Sequence, residues 1–286
     1  MKAYRWQYPV KLMARVLEVS RSGYYKWLTR GPSRRTIRDS MLKVLINCAH
    51  KRSRGTYGPL RLQDELAAEN QRVGRDHISR LRKEMGLSCI QKKKFKITTD
   101  SKHHLPVVAN LLEQKFDVSV PATVLGTDIT YIATDEGWLY LAGVKDFASR
   151  EIIGYAMSGR MTAELVQCAL KKALRFRKPL PGCIHHSDRG SQYCAAEYRK
   201  DIEKAGMIPS MSRKGNCYDN APTESFWGHL KQELVHHRHF QTRNQAIAAI
   251  REYIEIFYNR IRRHSALGNT APSVFAEAYY SKRRIA

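Results

Sequence analysis

The spacing of apolar and polar positions changes character along the chain, from helical periodicity in the first third to strand-like runs after residue 117. Residues 10–28, VKLMARVLEVSRSGYYKWL, join an apolar helical run to an aromatic, basic one across a Ser-Arg-Ser-Gly turn. PLRLQDELAAE and DHISRLRKEMG then read as two helices connected by NQRVGR, with Asp76 as N-cap and Gly86 as a C-terminal stop. In the second of these, Ile78, Leu81 and Met85 form an apolar face, and Arg80, Arg82 and Lys83 are expected on the outer faces. A helix-turn-helix carries its phosphate and base contacts there, although a helical hairpin with a solvated basic face gives the same pattern.

Beyond residue 117, the runs VLGTDITYI, GWLYLAGVKDFA and EIIGYAMSG, separated by turn signals, predict an antiparallel meander. The helix ELVQCALKKALRF, the strand CIHHSD, the helix AEYRKDIEKAG, the strand IPSMS and the helix TESFWGHLKQEL follow. This order predicts a mixed α/β unit around a central sheet. A long helical segment, TRNQAIAAIREYIEIFYNRI, leads into a basic tail. The expected divisions are a short helical segment over 1–30, a helix-turn-helix domain over 34–90, a basic linker over 91–116, the α/β unit over 117–235 and a helical basic segment over 236–286.

Charge sharpens this picture. The 286 residues include 50 Lys and Arg against 26 Asp and Glu, a net +24, which implies a polyanionic partner. The excess is concentrated at the front: residues 1–116 hold 26 basic and 9 acidic side chains. Arg75, Arg80, Arg82 and Lys83 of the helix-turn-helix and Lys92, Lys93 and Lys94 of the linker are the candidate DNA contacts in that part. No run approaches the ~18 consecutive apolar residues of a membrane span, and MKAYRWQYPV lacks the apolar core of a signal peptide. A cytoplasmic, nucleoid-associated protein with no membrane partner is expected. The six cysteines are scattered without a CxxC pair, so neither a disulfide framework nor a zinc ribbon is indicated.

Three acids stand out against this background. Asp128 lies inside the apolar run VLGTDITYI, Asp188 ends CIHHSD, and Glu224 opens a helix after the turn-rich stretch RKGNCYDNAPT, with thirty-five residues between the last two. Carboxylates on buried strands are costly unless a cation compensates them, and two strands and a helix bringing three together suit a pair of divalent ions. His185 and His186 precede Asp188 and are candidates to face the site, one of them pointing into the core. A zinc site from Cys183, His185, His186 and Cys194 is a weaker alternative. Arg189, Gln192, Arg213, Lys214, Arg262 and Arg263 lie near these acids or in the basic tail and complete the candidate DNA contacts.

The strings GTDITYI, HHSDRGSQY, SRKGNCYDNAPTESFWGHLKQEL and FYNRIRRHSALGNTAP, in this order, resemble the insertion-sequence-three family of bacterial DDE transposases. The similarity is to its catalytic OrfB product, related to the retroviral integrases, and covers nearly all of the chain. It implies an RNase H-like catalytic core after the helix-turn-helix, with Asp128, Asp188 and Glu224 as the catalytic, metal-holding triad. It also implies a basic residue seven positions after the glutamate, here Lys231, sharing a helix face with Glu224 and Gly228. Family members are usually completed by an upstream OrfA product bearing a leucine zipper; no such heptad segment is present, so this chain is expected to be the catalytic half.

The expected chemistry is DNA end cleavage followed by strand transfer from the freed 3′-OH, with two Mg²⁺ (or Mn²⁺) ions about 3.5–4 Å apart. Asp128 is expected to bridge both ions, with Asp188 on one and Glu224 on the other. Joining two ends implies a homo-oligomer on DNA. A non-cleaving DNA-binding regulator and an RNase H-type nuclease are the competing readings.

Overall fold

The computed structural model describes residues 1–90, 108–213 and 217–285; Lys92, Lys93, Lys94 and Lys214 lie outside the described residues. The front of the chain is helical: α1 (Val10–Val16), α2 (Arg21–Thr29), α3 (Arg34–Arg52), α4 (Pro59–Ala68) and α5 (Arg75–Glu84). The Ser-Arg-Ser-Gly stretch is not a turn. Ser20 caps α2 by accepting from the Gly23 N–H, so Arg21 to Gly23 are already helical. Asp76 is likewise not the cap of α5. Gly74 occupies that place and Asp76 sits exposed in the first turn, paired with Arg75. Gly86 ends α5 in the left-handed conformation that glycine adopts without penalty.

Leu42 and Ile46 of α3 pack against Leu62 and Leu66 of α4 and Ile78 and Leu81 of α5, with Tyr57 sealing the end. Each fully buried aliphatic side chain contributes about 1.5–3 kcal/mol. Arg82 joins this interior: it is 7% exposed and donates to Cys89 Sγ at 3.3 Å. This corrects its expected outer placement, because Arg82 follows Ile78 by four residues and therefore lies on the same buried stripe.

The second part is a five-stranded sheet of β1 (Val124–Thr134), β2 (Gly137–Asp146), β3 (Ile152–Ser158), β4 (Ile184–Ser187) and β5 (Ile208–Met211), ordered β3-β2-β1-β4-β5. The first three strands form the antiparallel meander that the sequence predicts, while β4 and β5 run parallel to β1. This is an RNase H-like arrangement. Helix α6 (Ala163–Phe176) crosses one face, where Leu165, Val166, Ala169 and Leu170 meet Leu125, Ala142 and Val144. Gly154 of β3 permits close approach, since an added Cβ would lie 2.4 Å from the Ala169 carbonyl oxygen. The short α7 (Ser191–Cys194) and α8 (Ala196–Lys204) complete that side.

The opposite face is covered by α9 (Ala221–Glu233), α10 (Arg243–Glu252) and a π-helix, Tyr253–Ile261. Phe226, Trp227 and Leu230 pack there with Ile250, Ile254, Phe257 and Tyr258. Asn259, on the π-helix, accepts from the Ile152 N–H and donates to the Ile152 carbonyl, both at 3.0 Å, at the start of β3. The expected basic tail contains α11 (Pro272–Ile285). The helical front docks on this side: Tyr57 Oη donates to the Ile261 carbonyl at 3.2 Å and accepts from Arg263 N at 2.6 Å, while Arg263 pairs with Glu65 and Arg54 with Glu252.

Candidate active site

Strand alternation turns Asp128 toward the face covered by α9, and the same sheet brings Asp188 to the end of β4, the neighbour of β1. Glu224 lies in the first turn of α9, which Pro222 helps to start. All three side chains are half-buried. Asp128 Oδ1 accepts from the Ile129 N–H at 2.8 Å and Oδ2 from Trp227 Nε1 at 3.0 Å; Asp188 Oδ1 accepts from the Gly190 N–H at 2.9 Å. Burial, and then the negative charges of Asp188 and Glu224, push the Asp128 carboxyl well above the usual carboxylate range. Burial and then Asp188 raise Glu224 as well. The three acids therefore feel one another's charge.

Among the described residues, no three His, Cys, Asp or Glu side chains are gathered closely enough to clasp a metal ion as they stand. Three carboxylates would nevertheless suit a hard divalent cation, whose charge would offset the burial and the repulsion that together raise Asp128. Cys183, His185, His186 and Cys194 do not form the alternative zinc centre. Both histidines are buried: His185 is hydrogen-bonded to Tyr198 Oη at 3.1 Å, and His186 to Ser210 and Ser212 at 2.9 and 3.2 Å. Neither faces the acids as a free ligand, and burial lowers both to about 4.

The integrase core domain family matches residues 119–217 and a second integrase core family matches 224–278, while an HTH-like domain family matches 36–95. The chain is 58% identical over 94% of its length to an insertion element IS600 31 kDa protein of Shigella sonnei, covering 98% of it. It is 43% identical to the transposase InsF of insertion sequence IS3A of Escherichia coli (strain K12), covering 96% of each chain. The chain belongs to the IS3-family transposases. The catalytic core domain of BIV integrase also resembles it, at 16% identity and a TM-score of 0.44, over 57% of this chain and 99% of that one. At that score the likeness adds nothing to the family match.

In this transposase the candidate DNA contacts fall into two groups. Arg75 and Lys83 are exposed on α5, while Arg189 and Gln192 are half-buried just beyond Asp188. Arg189 Nε donates to the Ser212 carbonyl at 2.7 Å. Lys231 is half-buried on the Glu224 face of α9, with its Nζ 5.2 Å from the centre of the Tyr131 ring. Burial lowers its pKa, with Tyr131 and Asp128 opposing that shift.

Arg80, Arg213, Arg262 and Arg263 are also engaged within the protein. Arg80 binds Asp39 at 2.7 Å and pairs with Glu84. Arg213 grips the buried Asp219 through its own N–H, Nε and Nη2, so it fastens the segment before α9. Arg262 is 2% exposed, bidentate on Glu233, and does not belong to a basic surface. Arg263 is half-buried against Glu65 and donates to the Asn269 carbonyl at 2.9 Å. Sequence reasoning missed Trp227, whose contact with Asp128 depends on the pairing of β1 with β2 and on the seating of α9.

Proposed function

We propose that this transposase cleaves DNA at the ends of its insertion sequence and joins the freed 3′-OH to a second strand, with Asp128, Asp188 and Glu224 as the catalytic carboxylates. The observation that carries this reading is the placement of three half-buried acids on an RNase H-like sheet and the helix over it, Asp128 on β1, Asp188 just beyond β4 and Glu224 in the first turn of α9, where burial first and then the charges of the other two raise the Asp128 carboxyl. Divalent cations held by the three carboxylates, Mg²⁺ or Mn²⁺, would supply charge stabilisation at the phosphoryl oxygens and a more acidic attacking hydroxyl or water.

The chain's own groups position the DNA around that chemistry. Lys231 holds a phosphate beside Glu224, and exposed Arg75 and Lys83 hold duplex DNA with the linker lysines 92–94. Arg189 and Gln192 flank Asp188 and border the scissile strand. Because two ends must be joined, the active form is a homo-oligomer on DNA, with the upstream product of the element as a further partner.

The test is a labelled duplex carrying the element's end, incubated with Mg²⁺ and either the parent chain or Glu224→Gln. The expected outcome is cleaved and joined strands from the parent, at least a thousandfold less of both from the variant, and similar DNA affinity for the two. Cleavage without joining would favour a nuclease. Binding without either product would favour a regulator.

A further inference from the structure

Asp128 lies directly opposite Gly143 in the register of β1 and β2. Gly143 has no side chain to occupy the space between the sheet and α9, and the indole of Trp227 fills it so closely that a Cβ on Gly143 would lie 2.9 Å from the ring. Trp227 is 4% exposed, and its Nε1–H is its one hydrogen-bond donor. A buried indole N–H needs an acceptor, and this one donates to Asp128 Oδ2 at 3.0 Å. Trp227 follows Glu224 by three residues, within one turn of α9. The bond therefore ties the helix carrying one acid to the strand carrying another.

We propose that Trp227 is a positioning residue: it locks the rotamer of the Asp128 carboxylate and, through α9, sets the separation between Asp128 and Glu224. The inference rests on the three-carboxylate reading above. A carboxylate repelled by two neighbours gains by rotating away from them, and an N–H on one oxygen opposes that rotation. An indole suits this task because it is neutral and does not titrate. A lysine or arginine in its place would cancel the negative charge that a cation needs, whereas Trp227 orients Asp128 and leaves that charge intact. The Ile129 N–H holds the other oxygen, so each oxygen keeps lone-pair capacity for a cation.

The chain has four tryptophans, Trp6, Trp27, Trp138 and Trp227, so its ¹⁵N-indole NMR spectrum should show four resonances that single Trp→Phe replacements assign. On titration with Mg²⁺ alone, the Trp227 resonance is expected to move to saturation while those of Trp6 and Trp27 stay in place, and Asp128→Asn should abolish the movement. In the end-cleavage assay, Trp227→Phe keeps an aromatic ring but loses the donor. It should cleave at least tenfold more slowly and need several-fold more Mg²⁺ for half-maximal rate, with DNA affinity within twofold of the parent.

A Trp227 resonance unmoved by Mg²⁺ in a parent chain that cleaves would overturn the proposal and leave the three-carboxylate reading standing. So would a folded Trp227→Phe with the parent's rate and Mg²⁺ requirement. Full cleavage by Asp128→Asn would sink the reading beneath it. The parent spectrum decides the matter even if the phenylalanine variant fails to fold.

Discussion

Arg262 shows how far a residue's type can mislead about its job. In sequence it belongs to a basic run, Arg260, Arg262, Arg263 and His264, suited to tracking a DNA backbone. In the structure it is enclosed, paired bidentately with Glu233, which also accepts from Tyr253 Oη at 2.8 Å. Truncating it leaves a buried carboxylate without its cation, which typically costs about 3–5 kcal/mol. Arg262→Ala is expected to lower the urea midpoint accordingly. The salt dependence of DNA binding, measured where the variant is folded, should keep the parent's slope, whereas loss of a true phosphate contact would flatten it by about one unit. Arg82 makes the same point: periodicity gives an angle around a helix but not the width of the buried stripe.

At the level of elements, the strands and their succession along the chain are legible because each buried strand is an apolar run bounded by turn residues, whereas the order β3-β2-β1-β4-β5 in the sheet is not. Asp128 and Asp188 stood out as charges in or at the end of such runs, and Glu224 by its place at a helix start with thirty-five residues between it and Asp188. Other features were not legible. Helix α11 is rich in Lys, Arg and Tyr and reads as a solvated tail, although Ala276 is buried. The π-helix has the apolar spacing of an ordinary helix, so sequence cannot distinguish its wider turns. Trp227 reads as one more core aromatic, because its acceptor lies 99 residues away. Close packing between elements carries its own prediction. In Gly154→Ala the added methyl meets the backbone of α6 at Ala169 and Ala173, so the helix must lift from the sheet. A loss of about 1–3 kcal/mol is expected from overpacking, measurable by chemical denaturation.

Across the whole molecule, acid stability is governed by buried neutral histidines as well as by the acids. Burial holds His185 at about 4, His229 at about 3 and His264 at about 2, against an ordinary value of 6.5. Below 6.5 the unfolded chain therefore takes up protons that the folded chain refuses. Their contribution is complete above 6.5 and is lost as pH falls from there toward 4 and below, at up to about 1.4 kcal/mol per unit for each ring. The raised carboxyls of Asp128, Asp146, Glu151 and Glu224 work in the opposite sense, gaining protons in the folded state first. The expected net result is a urea midpoint that declines below pH 6.5, and a shallower decline in His264→Gln. An identical slope in that variant would count against the histidine account.

The side chain of Asn259 offers the first residue of β3 one donor and one acceptor, as an adjoining strand would. It is a one-residue impostor at the rim of the sheet. A foreign chain seeking to extend the sheet from Ile152 must first evict that amide, and an amide bonded at both ends is not displaced without replacing two hydrogen bonds. An uncovered edge strand offers its free backbone groups to any neighbouring chain and so invites sheet-to-sheet association. Asn259 blunts that hazard at this corner of the sheet.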